Sequence, residues 1–355
     1  MKKGLLLDIG NVVPGMVLYE DVYHEDNLLL PKGTVIKPGY IDKLVSRGVF
    51  KVNVCTETSQ YDDLFSNPVE KFYIKTYDEI SKIIDNQKKG IKIDVTQILM
   101  LVEKIMEKVY TNKDSILLLT GFRGKCDYFY AHSLDVCIYS LIAAKALNID
   151  YENAMILGMG ALLHDIGKIK ISDSVLLKQG SLTTEEFEEA KKHSIYGYRL
   201  AAGIPGMKHD VAKIILQHHE RCDGSGYPRN AGADEIHFLS KIVAVADIYD
   251  ALTSDRVYRK KVLPHEAAEY LLCISNSQID SKIARVFLKD IAIYPKGCQV
   301  LLNTNQIGVV TDSNSKMPLR PSLKILTDKD KYPIKIPFEF ELQTHPGVFI
   351  VHMFN

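Results

Sequence analysis

The sequence predicts a mainly α protein, a helical bundle flanked by a small β-rich module at each end. Three observations carry that prediction. Apolar residues recur at helical spacing through most of residues 61–290, short apolar runs punctuated by Pro and Gly make up both ends, and 46% hydrophobic residues in 355 supply a sizeable core. The patterns divide the chain into an N-terminal β-rich module (1–60), a helical connector (61–119), the bundle (120–290) and a C-terminal β module (291–355).

In chain order, Val12–Leu18 contains a Pro14-Gly15 turn and Leu28–Ile36 reads as a hairpin around Pro31-Lys32-Gly33. Pro38–Arg47 reads as a short helix ended by Gly48, followed by a strand at Val49–Val54. The connector holds two helices, Pro68–Lys89 and Asp94–Tyr110, the second with Asp94 as N-cap and Ile98, Val102, Ile105 and Val109 in one stripe. That stripe needs a cover: the following domain is the favoured one, and a second copy of the chain, giving a homodimer, is the alternative. The bundle is predicted as helices Tyr128–Leu147, Glu152–Leu163, Thr184–Ala202, Lys208–Gln217, Phe238–Thr253, Pro264–Ser275 and Gln278–Lys289. Thr183 and Glu186 form a capping box for the third. Beyond it, Gln299–Leu302, Gly308–Thr311, Leu323–Leu326 and Val348–Met353 read as strands of a small barrel or open sheet.

Composition excludes several classes. Basic and acidic residues balance at 44 each, so no net field recruits DNA, RNA or an anionic membrane. No apolar run reaches the roughly 18 to 20 residues of a spanning helix, and the Leu5-Leu6-Leu7 run is too short for a signal peptide, so the chain reads as cytoplasmic. The six cysteines are scattered with no C-x-x-C pair, which argues against a disulfide framework and a zinc ribbon.

Of the eleven histidines, five in the bundle stand out, His132, His164 beside Asp165, His193, and the pair His218-His219, while His209, His237 and His265 read as structural. Asp247 ends the apolar run Val243-Ala244-Val245-Ala246, and Asp165 follows Ala161-Leu162-Leu163. Burying an ionised carboxylate in such places costs several kcal/mol unless it is paired or binds a cation. One histidine on an apolar face is usually a satisfied core residue; five together with two buried aspartates point to a metal centre. Imidazoles and carboxylates suit iron, manganese, cobalt or nickel, and one carboxylate can bridge two ions. Adjacent His218 and His219 point about 100° apart on a helix, so both reach one centre only where the helix ends and the chain bends. Lys168 follows Asp165 by three residues on the same face, placed to neutralise a phosphate. Asp250, Arg256, Tyr258 and Arg259 follow Asp247, and the arginines suit bidentate phosphate contact.

These residues carry a resemblance. The ordered set Asp127 to Ser133, His164-Asp165-Ile166-Gly167-Lys168, His193 to Arg199, His218-His219-Glu220-Arg221-Cys222-Asp223-Gly224-Ser225-Gly226-Tyr227-Pro228, Ala246 to Thr253 and Arg256 to Arg259 resembles an HD-GYP domain over about half the chain. HD-GYP domains are bacterial HD-superfamily metal phosphohydrolases acting on cyclic di-GMP. The resemblance implies an all-helical HD-type bundle and two divalent or mixed-valence transition-metal ions, iron or manganese. His132, His164, Asp165 and Asp247 would hold one ion, and Asp165 would bridge to a second on His193, His218 and His219. Lys168, Arg256 and Arg259 would meet the substrate phosphates and Tyr227 would line the pocket, while Asp223 braces the loop and Glu220 partners a histidine N–H. Asp165 and Lys168 would be the catalytic residues, hydroxide held between the ions attacking cyclic di-GMP to give 5′-pGpG, with a second cut to GMP left open because it depends on how open the pocket is. The alternatives are a hydrolase of another cyclic dinucleotide such as cyclic GMP-AMP, or a non-catalytic receptor. The pattern departs in three places: Tyr128 stands where three-metal members have glutamate, which favours two metals, and Ser172 and Gln179 stand where many members have proline.

Overall fold

The computed structural model describes residues 3–354 other than 10–11, 13–15, 25–26, 35, 37, 48, 50, 57–67, 112–127, 179, 255–261, 292, 295, 313–316, 318 and 331. Contacts divide the chain into two compact units, Met1–Lys71 and Phe72–Asn355.

In the first unit β1 (Lys3–Asp8) pairs antiparallel with β4 (Lys51–Thr56), Leu5 opposite Val54 and Leu7 opposite Val52, while β2 (Val22–His24) pairs with β3 (Asn27–Leu30). α1 (Pro38–Ser46) lies between them in sequence and buries Leu44 with Leu18, Ile36, Val52 and Val54. The Leu5-Leu6-Leu7 run lies in β1. One expectation changes: β3 pairs backward with β2 instead of forward across Pro31-Lys32-Gly33. The segment after that turn bonds to residues 16–18, with Leu18 N–H on Thr34 O (3.0 Å) and Ile36 N–H on Met16 O (2.7 Å).

The division between units falls inside α2 (Pro68–Lys88). α3 (Val95–Thr111) packs against α4 (Tyr128–Ala146) and α5 (Tyr151–Leu163), and its stripe of Ile98, Val102, Ile105 and Val109 is buried there. The following domain is therefore the cover, and the homodimer expected through this stripe loses its surface. α2 is tied to α4 by the Tyr73 hydroxyl donating to Asp135 (2.6 Å) and the Tyr130 hydroxyl donating to Asp85 (2.5 Å).

α4 and α5 are buried on nearly every face, the mark of central helices. After α5 come a 3-10 turn (Ile166–Lys170) and a short α6 (Asp173–Leu176) that periodicity did not reveal. The predicted helix Thr184–Ala202 is two, α7 (Thr184–Lys191), with the expected Thr183–Glu186 capping box, and α8 (His193–Ala202). α9 (His209–Gln217), α10 (Phe238–Thr253), α11 (Pro264–Ile274) and α12 (Ser281–Asp290) complete the bundle, α9 against α5 and both α10 and α12 against α4. Among the described residues no helix is long and apolar enough to cross a membrane.

The C-terminal strands β5 (Gln299–Leu302), β6 (Ile307–Asp312), β7 (Ser322–Thr327), β8 (Pro333–Glu341) and β9 (Ile350–Phe354) form an antiparallel sheet in the linear order β8-β7-β6-β5-β9. β8 is a strand the sequence analysis does not include; it contains Pro333 and Pro337, which an edge strand tolerates. His345, unexplained by the sequence, stacks on Phe340 with ring centroids 4.3 Å apart.

Candidate metal centre

An α-helix leaves its last carbonyls without N–H partners, and this bundle uses three such carbonyls to fix imidazoles. His164 caps α5 and its Nδ1–H donates to Ala161 O (2.8 Å); His218 caps α9 and donates to Ile215 O (2.8 Å). His193, at the α7–α8 junction, donates to Ala190 O (2.7 Å). Each bond reaches back three residues, and each leaves Nε2 as a lone pair aimed away from the helix. The side-chain bond competes for the Ala190 carbonyl, which is the local reason the predicted single helix breaks at Lys192.

These nitrogens converge on Asp165, 1% exposed. Its Oδ2 lies 3.3 Å from His164 Nε2 and 3.7 Å from His132 Nε2, while its Oδ1 lies 3.4 Å from His193 Nε2 and 3.9 Å from His218 Nε2. His132, His164 and Asp165 form one group with metal-binding spacing; Asp165, His193, His218 and His219 form another. Asp247 lies beside both, Oδ1 at 3.2 Å from His132 Nε2 and Oδ2 at 3.5 Å from His219 Nδ1. The bend after Gln217 brings the adjacent histidines together, ring centroids 4.0 Å apart.

Electrostatics define what the second group lacks. Burial lowers the His193 pKa to about 4 and, with neighbouring imidazoles, holds His218 and His219 well below the usual range, so all three are neutral at pH 7. Burial alone would raise the Asp165 carboxyl, but the Lys168 ammonium bonded to Oδ2 and the surrounding imidazoles keep it well below the carboxylate range. His193 Nε2 and His218 Nε2 thus face each other at 3.3 Å, both without a proton, against the buried Asp165 Oδ1, which has no hydrogen-bond partner. Three lone-pair atoms converging without a donor are costly. A cation satisfies all three, and the N/O donor set fits a transition metal.

The first group differs. Burial lowers the His132 pKa, but hydrogen bonds to Asp247 and Asp250 outweigh it and raise the value to about 9. A metal-free chain at pH 7 therefore carries a proton on His132, and manganese added in weakly buffered solution is expected to release at least about one proton per chain, read with an indicator dye. A metal-loaded chain with no proton released would contradict this charge state.

Asp250, given no role by the sequence reading, accepts from His132 Nδ1 at 2.6 Å and so aims the ring. It stands three residues after Asp247 on one face of α10, the spacing that could have disclosed it. Asp250→Ala is expected to weaken metal binding about 10- to 100-fold in a competitive chelator titration. Glu220 is corrected: its buried carboxylate accepts from Arg229 N–H (2.8 Å) and Ala231 N–H (3.0 Å), closing the loop instead of partnering a histidine. Asp223 braces the same loop through Ser225, as expected. Gly226 lies flat on the 219–221 backbone; a Cβ there would sit 2.4 Å from Arg221 N and 2.5 Å from His219 O.

Tyr227 packs on His219, centroids 4.7 Å apart, and lines a cavity of about 490 Å³ with His219, Lys191, Lys192, Arg221 and Phe187. Tyr128 stacks on His132 at 5.4 Å, occupying the place considered for a third metal's glutamate. Arg256, Tyr258 and Arg259 lie outside the described residues, as does Gln179.

Residues 125–283 match the HD domain family, and residues 299–355 match the KOW domain associated with HD domain. The chain is 34% identical over 248 residues to the cyclic di-GMP phosphodiesterase PA4108 of Pseudomonas aeruginosa, covering 69% of this chain and 59% of that protein. It is 37% identical over 136 residues to 3′3′-cGAMP-specific phosphodiesterase 3 of Vibrio cholerae, 38% of this chain and 29% of that one. It therefore spans less than two thirds of either relative. The solved structure of Bd1817, an HDG"Y"P protein from Bdellovibrio bacteriovorus, shares the fold at a TM-score of 0.50 and 18% identity, over 80% of this chain and 98% of that one. Similarity to a cyclic di-GMP phosphodiesterase of Thermotoga maritima extends at 32% identity over 67% of both chains, and with the HD domain match it settles the family: this chain belongs to the HD-GYP family of HD-domain proteins.

Proposed function

We propose that the chain is a metal-dependent phosphodiesterase of the cytoplasm that hydrolyses cyclic di-GMP to 5′-pGpG. The observation that carries the reading is the buried Asp165 carboxylate, its two oxygens divided between two sets of imidazoles. His132, His164 and Asp247 would hold one ion and His193, His218 and His219 the other, with Asp165 shared. Iron or manganese suits this donor set. When bound, such a pair supplies Lewis acidity and ionises water at neutral pH.

The remaining work falls to the protein. Lys168, partly exposed beside Asp165, presents its ammonium where charge develops on the phosphoryl oxygens. Tyr227 and the Gly226 turn close one wall of the pocket, and Asp250 keeps His132 in one tautomer. Arg256 and Arg259 are proposed to meet the substrate phosphates on the strength of the family likeness. A second reading, cleavage of 3′3′-cyclic GMP-AMP, is favoured by the Vibrio relative of that specificity.

The test is anaerobic purification, metal counting, and chromatography of products from both cyclic dinucleotides with and without a chelator. Two metals per chain and 5′-pGpG formation lost on chelation are expected. Stoichiometric metal with neither nucleotide cleaved would reject the enzyme in favour of a receptor.

A further inference from the structure

The cavity beside the metal centre extends well past the ligands, and its far wall has no part in the chemistry just described. Lys191 and Phe187 stand on α7, one turn apart, and the Lys191 ammonium lies over two rings, 4.7 Å from the Phe187 centroid and 5.7 Å from that of Tyr227. Tyr227 in turn packs on His219, so a continuous line of contacts runs from the metal centre to Phe187. Phe187 is 47% exposed at the cavity mouth, leaving part of its ring open to a ligand. Lys191, Lys192 and Arg221 all line the cavity; Lys191 is ion-paired with Glu188 and Lys192 with Glu189, each at 2.6 Å, while Arg221 Nη1 donates to the Glu220 carbonyl at 3.0 Å. An exposed ring beside a guanidinium and an ammonium that can exchange its carboxylate for another anion is the chemistry that receives a nucleobase and its phosphate.

We propose that Phe187, Lys191 and Arg221 form a subsite for the nucleotide unit that is not being cleaved, the base stacking on Phe187 and the second phosphate meeting Lys191 and Arg221. This rests on the phosphodiesterase reading above. A cyclic dinucleotide carries two phosphates, and the metal centre engages one. The other needs a counter-charge elsewhere, and Arg221, with Lys191 released from its Glu188 pair, offers one in the 490 Å³ cavity that His219 also lines. The subsite selects for two-nucleotide substrates over small diesters and leaves the reacting atoms untouched.

The test compares kcat and KM of the metal-loaded full chain with those of Phe187→Ala and Lys191→Gln, on cyclic di-GMP and on bis(4-nitrophenyl) phosphate, a diester without a second phosphate or a purine. Circular dichroism checks the fold of both variants, each of which alters a partly exposed side chain. KM for cyclic di-GMP is expected to rise about tenfold in each variant, within the 5- to 150-fold range of one base-stacking contact, so that the ratio of the two substrates' kcat/KM falls. Ratios equal to wild type in both variants would overturn the subsite. If wild type cleaves neither substrate, the phosphodiesterase reading fails instead, and calorimetric Kd values for cyclic di-GMP then decide the subsite: about tenfold weaker in the variants upholds it, equal values overturn it.

Discussion

Asp165→Asn is expected to lower turnover of cyclic di-GMP by at least about 10³-fold and to cut the metal content, while the metal-free protein melts near the wild-type temperature. The two effects separate for a physical reason. Asparagine keeps the volume of a side chain that is 1% exposed, so the surrounding helices stay packed. Its amide also brings N–H donors to a place where two neutral imidazoles present lone pairs and Oδ1 has no partner. The metal-free variant is relieved of a conflict that wild type resolves by binding a cation. Lys168 loses its ion pair but is partly exposed and can be hydrated. Turnover within tenfold of wild type at full metal occupancy would sink the assignment of Asp165 as the shared ligand.

Gly167→Ala is expected to be the most damaging change outside the ligands. A Cβ at this position would lie 1.9 Å from His193 O and 2.4 Å from Gly197 N, both backbone atoms that no rotamer can withdraw. The 3-10 turn and α8 must therefore part. The cost is about 3 kcal/mol or more, at the upper end of overpacking. Function suffers more directly than stability, because His193 opens α8 and its Nε2 is held 3.4 Å from Asp165 by this contact. A urea midpoint shifted well below wild type together with loss of about one metal per chain is the expected pair of results. An unshifted midpoint with both metals retained would show that the close approach has no such role.

Much of the site was legible in the sequence because its residue types are conspicuous where they stand. Aspartates after apolar runs and histidines in a hydrophobic bundle are expensive without a purpose, and all seven expected ligands come together. Spacing from Asp247 could place Asp250 on the site's face of α10, but its partner could not be read, since that depends on α4 lying beside α10 and bringing His132 within 2.6 Å. The junction at Lys192 was hidden for a related reason. Hydrophobic spacing continues across it, and only the His193 side chain taking the Ala190 carbonyl marks the break. Glu220 misled because a carboxylate next to two histidines suggests an imidazole partner, whereas the loop folds back and presents the Arg229 and Ala231 amides to it. In the C-terminal sheet, β8 carries two prolines at an edge position, where one side has no ladder for a proline to interrupt.

The three carbonyls that orient His164, His193 and His218 make helix length a determinant of metal chemistry. Insertion of a single residue upstream of any of these histidines would leave the ligand inventory intact, yet it would rotate the imidazole by about 100° and hand the carbonyl to a new amide. Engineering of this scaffold toward other metals is therefore best directed at the identity of the donors, with the segment lengths between them held fixed.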